Sequence, residues 1–228
     1  AENGGISEDL RSVTWKLKPG VKWSDGTPLT SADVVFTANY CMDPKGGCAQ
    51  LAKFEGVESV EAVDDLTVKV NFTTPRPDPF SAFVGGQSPI IQKAQFEKCI
   101  GEAAPTCTEQ NFNPIGTGPF VFKNWSADTF EVVKNDNYWR EGLPKVDGVT
   151  IRSIPESGAR FAMLQTGEVQ FVPTFPPELV APAEKNPQIT VDITDSIVER
   201  YVAMNNLKKP FDDIRVRHAL NYAVDKNA

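Results

Sequence analysis

At 228 residues, with 40% apolar and 23% charged side chains, the sequence carries enough apolar material for one large ordered domain or two smaller ones. A formal charge of −7 and a pI near 4.9, with no cluster of Lys and Arg, exclude the basic face of a nucleic-acid binder. No apolar run is long enough to span a bilayer, and no signal-peptide pattern opens the chain, which for a protein of an oxidising compartment would imply a mature or trimmed polypeptide.

Eighteen prolines and sixteen glycines predict many turns rather than a helical bundle. Residues 13–17, VTWKL, have strand character, and KPG and SDGTP flank the next segment with turn chemistry. TSADVVFTANYC predicts a helix with Thr30 as N-cap, Asp33 at its third position, and Val34, Val35, Ala38 and Tyr40 on an apolar side. Residues 57–72 predict a hairpin that turns at Asp64 and Asp65, because Leu66, Val68, Val70 and Phe72 alternate with polar residues. Three prolines in 73–80 interrupt it, and 81–96 follow as a short apolar helix or loop. A domain boundary is expected near residue 110.

Beyond Gly118, residues 119–125, 129–135 and 149–154 predict strands. Residues 157–168 predict a helix stopped by Gly167, and 189–194 and 201–206 predict two further strands. The last helix is expected after Pro210 with Asp212 as N-cap and Ile214, Val216, Ala219, Leu220, Ala223 and Val224 along one side. It reaches Asn227 and Ala228 with no closing signal, so the natural chain is expected to continue.

The four cysteines form two locally spaced pairs, Cys41/Cys48 and Cys99/Cys107. Neither has the spacing of a zinc or thioredoxin site, and loops of this length allow either two local disulfides or free thiols. The disulfide reading implies an oxidising compartment.

The stretch NPIGTGPF places Gly116 and Gly118 as in a phosphate loop. Pro119 removes a backbone donor, however, and the following residues are strand-like, so a tight turn into a strand is expected instead. The single histidine, His218, falls in a helical pattern and predicts no catalytic base. Asp64–Asp65 and Asp212–Asp213 are explained by a turn and a helix cap, and no metal-ligand spacing occurs. Trp15, Trp23, Trp125 and Trp139 lie in or beside strands and are expected in the core. No enzyme, cofactor or metal site is predicted.

Four ordered motifs carry a resemblance: TWKLKPGVKWSDGTPLTSADVVFT (14–37), NPIGTGPFVFKNW with NDNYWREGLPKVDGVTIRSIP (113–155), ARFAMLQTGEVQF (159–171) and NNLKKPFDDIRVRHALNYAVDK (205–226). Together they resemble the extracellular solute-binding proteins, family 5, that serve peptide, opine and nickel ABC importers. The resemblance implies a mixed α/β, periplasmic-binding-protein-like type II fold of cluster C, two lobes closing on a solute, of which this chain supplies the first lobe only. Residues 1–110 resemble its smaller subdomain, 111–206 part of its main α/β subdomain, and 207–228 the start of the crossing into a second lobe that is missing. The chain thus resembles an internal fragment.

The resemblance further implies a substrate-binding component that hands a peptide-like solute to the permease subunits of a periplasmic or cell-surface importer. An opine, an oligosaccharide or a metal chelate are alternative solutes, and docking to a sensory receptor is an alternative role. Segments that face the cleft in the family correspond here to Gly47 and Gln50, and to Gly86, Gln87 and Ser88. Either glutamine is alternatively a solvated loop residue. Glycines and a glutamine, where nickel-complex binders place arginine or tryptophan, weigh against a chelated metal. Asn205 and Asn206 correspond to the hinge, or alternatively end a strand. Arg200 and Tyr201 lie near it as surface residues.

Overall fold

A computed structural model describes residues 2–46, 48–86, 88–195 and 201–225. The chain divides into two units, residues 1–155 and 156–228.

The first unit opens on an antiparallel sheet of four strands, β1 (Glu2–Ile6), β2 (Ser12–Lys16), β3 (Val57–Asp64) and β4 (Thr67–Phe72), in the order β1-β2-β4-β3. The expected hairpin is β3 and β4. Asp64 closes it by accepting the Leu66 N–H at 2.8 Å, and Val60 pairs with Val70 across it. Period-2 alternation sends Val68, Val70 and Phe72 into the core. β1 was not legible, because ENGGI has no alternation; its strand state comes from pairing with β2.

The predicted helix is α1 (Ser31–Met42). The Thr30 N–H donates to Asp33 Oδ2 at 3.0 Å, one half of a capping box. Its inner face buries Val34, Ala38 and Cys41 with Val13, Leu17, Val60, Val68, Val70 and Phe72 in one cluster. Burial of this kind contributes about 1.5–3 kcal/mol per large aliphatic side chain. The turn after β2 buries Trp23 to 1% exposure, whereas Trp15 packs at the edge of the core.

Two short helices, α2 (Lys93–Phe96) and α3 (Thr108–Phe112), lead to a second antiparallel sheet of β5 (Phe120–Trp125), β6 (Thr129–Lys134) and β7 (Gly148–Arg152), in sequence order. Gly116 and Gly118 precede β5 but do not take the left-handed φ a tight glycine turn would need. They act through their carbonyls instead: Gly116 O accepts from Ser24 N at 2.9 Å, and Gly118 O from the buried Asn135 Nδ2 at 2.8 Å. Two tryptophans correct the core expectation. Trp125 is 57% exposed at the outward end of β5, beside Phe112. Trp139 is 37% exposed, and its ring carries Lys18 and Arg140 at 5.4 and 4.6 Å, a cation–π arrangement rather than burial.

Gly148 pairs with Val133, and a Cβ there would stand 2.7 Å from the Val132 carbonyl oxygen. Because the obstacle is backbone, Gly148→Ala is expected to destabilise the first unit by about 1–3 kcal/mol. Urea denaturation followed by tryptophan fluorescence reads this.

The second unit holds α4 (Ser157–Thr166), α5 (Pro177–Glu184) and α6 (Ile214–Ala223). Glu156 caps α4 by accepting from Gly158 and Ala159 N–H, and Gly167 ends it at φ 75°, the stop that the sequence predicts. α5 was hidden by its prolines, although Pro177 stands at the first turn, where proline is tolerated. α6 begins one residue later than expected. Asp213 is the cap, accepting from Arg215 N at 2.8 Å, while Asp212 N donates to Lys208 O in the preceding turn. His218 is exposed on α6.

The strands expected at 189–194 and 201–206 do not form among the described residues. Alternation gives a segment a strand-like face, but a strand also needs a hydrogen-bonded neighbour, and neither segment has one there.

Several surface carboxylates are held below their ordinary values by hydrogen bonds to the ionised form: Glu156 by Gly158 and Ala159 N–H, Asp64 by Leu66 N–H and Thr67, Asp213 by Arg215. A depressed folded pKa stabilises the fold above the unfolded value and loses that contribution as pH falls through the folded value. Stability is therefore expected to be level down to about pH 4.5 and to fall progressively below it, through 3.8 and lower. Thermal melts across pH 3–7 check this.

Candidate functional site

Two segments of the first unit converge on one recess. The chain leaving α1 includes residues 43–46 and 48–50 and enters a 3-10 turn, Leu51–Phe54. The Cys41–Cys48 disulfide ties this segment to the last turn of α1, and Cys99–Cys107 forms the second predicted bridge. The other segment, of which 84–86 and 88–92 are described, is fastened to α1 at two points. Ile91 N–H donates to Thr37 Oγ1 at 3.0 Å, and Lys93 N–H to Asp33 Oδ1 at 2.9 Å.

Between them lies a cavity of about 230 Å³, walled chiefly by Tyr40, the two bridged cysteines, Phe54, Phe83 and Ile91. Phe54 and Phe83 meet edge to face at 5.4 Å. Three polar groups stand on this lining or beside it. Gln50 begins the 3-10 turn with its backbone carbonyl, and its side chain makes no hydrogen bond among the described residues. Ser88 is buried, and its hydroxyl accepts from Lys53 Nζ at 2.9 Å. Burial raises the Tyr40 phenol above its ordinary value of 10.0, so the hydroxyl stays neutral and available as a donor. A mostly apolar recess with a few placed polar groups is the usual form of a small-molecule site.

Of the residues expected at the site, Gln50 and Ser88 line this recess together. Gly86 is exposed in the turn beside it, and Gly47 and Gln87 lie outside the described residues, as does Arg200. Asn205 and Asn206 belong to the second unit. There the Asn205 side chain accepts from Leu207 N at 3.0 Å and its carbonyl from Lys208 N, a turn in which both act locally. Lys53 was missed, because a lysine in a short 3-10 turn carries no sequence signature. Its spacing three residues after Gln50 is the only hint.

A larger hollow of about 530 Å³ in the second unit is lined by the chain following α4 and by residues 188–192. It contains none of the expected residues. Among the described residues no group of acidic, histidine or cysteine side chains is placed to hold a metal ion, and no helix is long and apolar enough to cross a membrane.

The profile of the bacterial extracellular solute-binding proteins, family 5 (middle), matches residues 1–228. The chain belongs to this family. Over its full length the family-5 chain is 39% identical to the glutathione-binding protein GsiB of Pectobacterium atrosepticum and 37% identical to GsiB of Escherichia coli K12, covering 43% of each. It thus spans less than half the length of these curated relatives.

Several solved solute-binding structures superpose on 98% of the chain, and others on 73–80% of it. The former include the oligopeptide-binding protein AppA of Bacillus subtilis in complex with a nonapeptide (TM-score 0.85, 30% identity, 44% of that chain). DppA of Helicobacter pylori with the peptide STSA (0.84, 29%, 46%) and NikZ of Campylobacter jejuni with Ni(L-His) (0.85, 26%, 44%) match similarly. The mixed α/β architecture expected from the sequence is therefore that of family-5 proteins over this share of their chains. The family's activity is capture of solutes, not catalysis.

Proposed function

We propose that this chain forms one wall of the solute cleft in the substrate-binding component of an ABC importer, and that the solute is a small peptide of the glutathione type. The observation that carries the reading is the convergence of Gln50 and Ser88, from two separate loops, on one apolar recess beside a lysine. The names of the relatives at 37–39% identity favour glutathione over an opine or a chelate.

In this reading residues 1–110 are the smaller subdomain of a first lobe, 111–206 part of its main subdomain and 207–228 the start of a crossing, with Asn205 and Asn206 at the hinge. The facing lobe lies in sequence beyond these residues, and the assembled protein works outside the cytoplasm, passing its solute to permease subunits. Exposed apolar side chains in the second unit, Phe171, Tyr201, Leu207 and Tyr222, support a chain that meets further protein. Binding would act by population shift, since closure is favoured only when both walls touch the solute.

The test is calorimetry on the protein extended to the length of its relatives, with glutathione, an alanyl dipeptide, a nickel–histidine complex and an opine. Saturable 1:1 binding of glutathione is expected. Binding of the chelate or opine without glutathione overturns the solute assignment. The 228-residue chain alone is expected to bind weakly or not at all, and tight stoichiometric binding by it would remove the one-wall reading.

A further inference from the structure

We infer that Lys53 is the group that receives a carboxylate of the solute, so that the recess selects anionic peptides carrying a small apolar or sulfur-bearing side chain. This rests on the proposed solute-binding role and assigns chemistry to its site.

Lys53 Nζ is held by two neutral oxygens, Ser88 Oγ at 2.9 Å and the Val84 carbonyl at 3.4 Å. Among the described residues it forms no ion pair, in a chain with 30 acidic and 23 basic side chains. An ammonium has three N–H donors, and these two tethers leave the third for an acceptor not supplied by the fold. The tethers also order a flexible side chain before any solute arrives, which removes that ordering cost from binding.

The surroundings keep the head group in place and approachable. Lys53 N–H donates to Gln50 O at 2.9 Å, and Lys53 O accepts from Ser81 Oγ at 3.4 Å, so the backbone is fixed on both sides. Gly85 faces the ammonium without a side chain; a Cβ there would stand 3.9 Å away. Ser88, which holds the ammonium, also lines the cavity, so a carboxylate at Nζ would place the adjoining part of a peptide against Phe54, Phe83 and the Cys41–Cys48 sulfurs. A charge-assisted hydrogen bond beside an apolar recess is stronger than the same contact in water.

The experiment compares wild type with Lys53→Met in the protein extended to the length of its relatives, using glutathione and its diethyl ester as calorimetric probes. Met keeps an apolar stem of similar length and removes the ammonium, with its charge and its hydrogen bonds to Ser88 and the Val84 carbonyl. The expected result is a loss of about tenfold or more for glutathione with less than about threefold for the ester, at unchanged melting temperature, and an intermediate loss for Ser88→Ala. Equal losses for acid and ester, or none for glutathione, overturn the assignment while leaving the binding role intact. Absence of wild-type binding to both probes removes the glutathione-type solute and the Lys53 assignment with it, while the solute-binding role is then decided by the chelate and opine titrations.

Discussion

Trp23→Ala is expected to lower the stability of the first unit by about 3–5 kcal/mol, the range for deleting a fully buried large aromatic. Trp23 is the largest of the fully buried side chains, and its turn is closed by Trp23 N–H to Thr27 O at 2.8 Å and Gly26 N–H to Trp23 O at 2.9 Å. The loss should appear as a drop in melting temperature on the order of 10 °C. Trp23→Phe should cost much less. The indole Nε1 is buried with no hydrogen-bond partner among the described residues, so Phe keeps most of the ring volume and discards an unsatisfied donor. If Phe proves as damaging as Ala, the indole N–H has a partner and this account of the turn is wrong.

The second large effect is expected at Asp33. Its carboxylate is buried in α1 and accepts two backbone N–H groups, from Thr30 at 3.0 Å and from Lys93 at 2.9 Å. One bond starts the helix; the other pins the end of the 84–92 segment that lines the recess. Asp33→Ala strands both donors, at about 1–3 kcal/mol each, so a loss of about 3 kcal/mol is expected. Asp33→Asn keeps one acceptor and turns an amide N–H toward the other donor, and should cost about half as much. Thr37→Val removes the neighbouring tether to Ile91 N–H and should cost about 1–2 kcal/mol. Urea titration measures the stabilities. In the extended protein, the variants should weaken solute binding in the same order, because the segment they release carries Ser88. Stability loss with unchanged affinity would show that the 84–92 segment holds its shape without α1.

The elements that were legible in sequence are those whose signal is local. α1 announces itself through Thr30 and Asp33, and the β3–β4 hairpin through a turn flanked by strict alternation. The elements misread depend on partners remote in sequence. β1 is a strand only because β2 lies beside it, and residues 189–194 have the composition of a strand but no neighbour to pair with among the described residues. α6 slid by one residue because two adjacent aspartates both fit a cap, and only geometry chooses the one that reaches the second helical N–H. Trp125 and Trp139 show that an aromatic beside a strand does not reveal which face of the sheet is covered.

The candidate site divides in the same way. Gln50 and Ser88 were reachable because the motif in 14–37 locates α1, and the resemblance places the cleft-facing segments after it. Nothing in the sequence says that the two loops meet, since that depends on Thr37 and Asp33 catching backbone 54 and 60 residues away. Lys53 was invisible for a related reason: its role follows from what surrounds its ammonium, and Ser88 is 35 residues distant.

The bridge between Cys41 and Cys48 spans only seven positions and stitches the rim of the recess to the end of a rigid rod. The bridge restrains that side of the opening, so the rim there cannot move away from the helix end without breaking it. If the recess holds solute as proposed, its selectivity would be altered through the side chains at Gln50, Phe54 and Phe83 rather than through the course of the bridged loop.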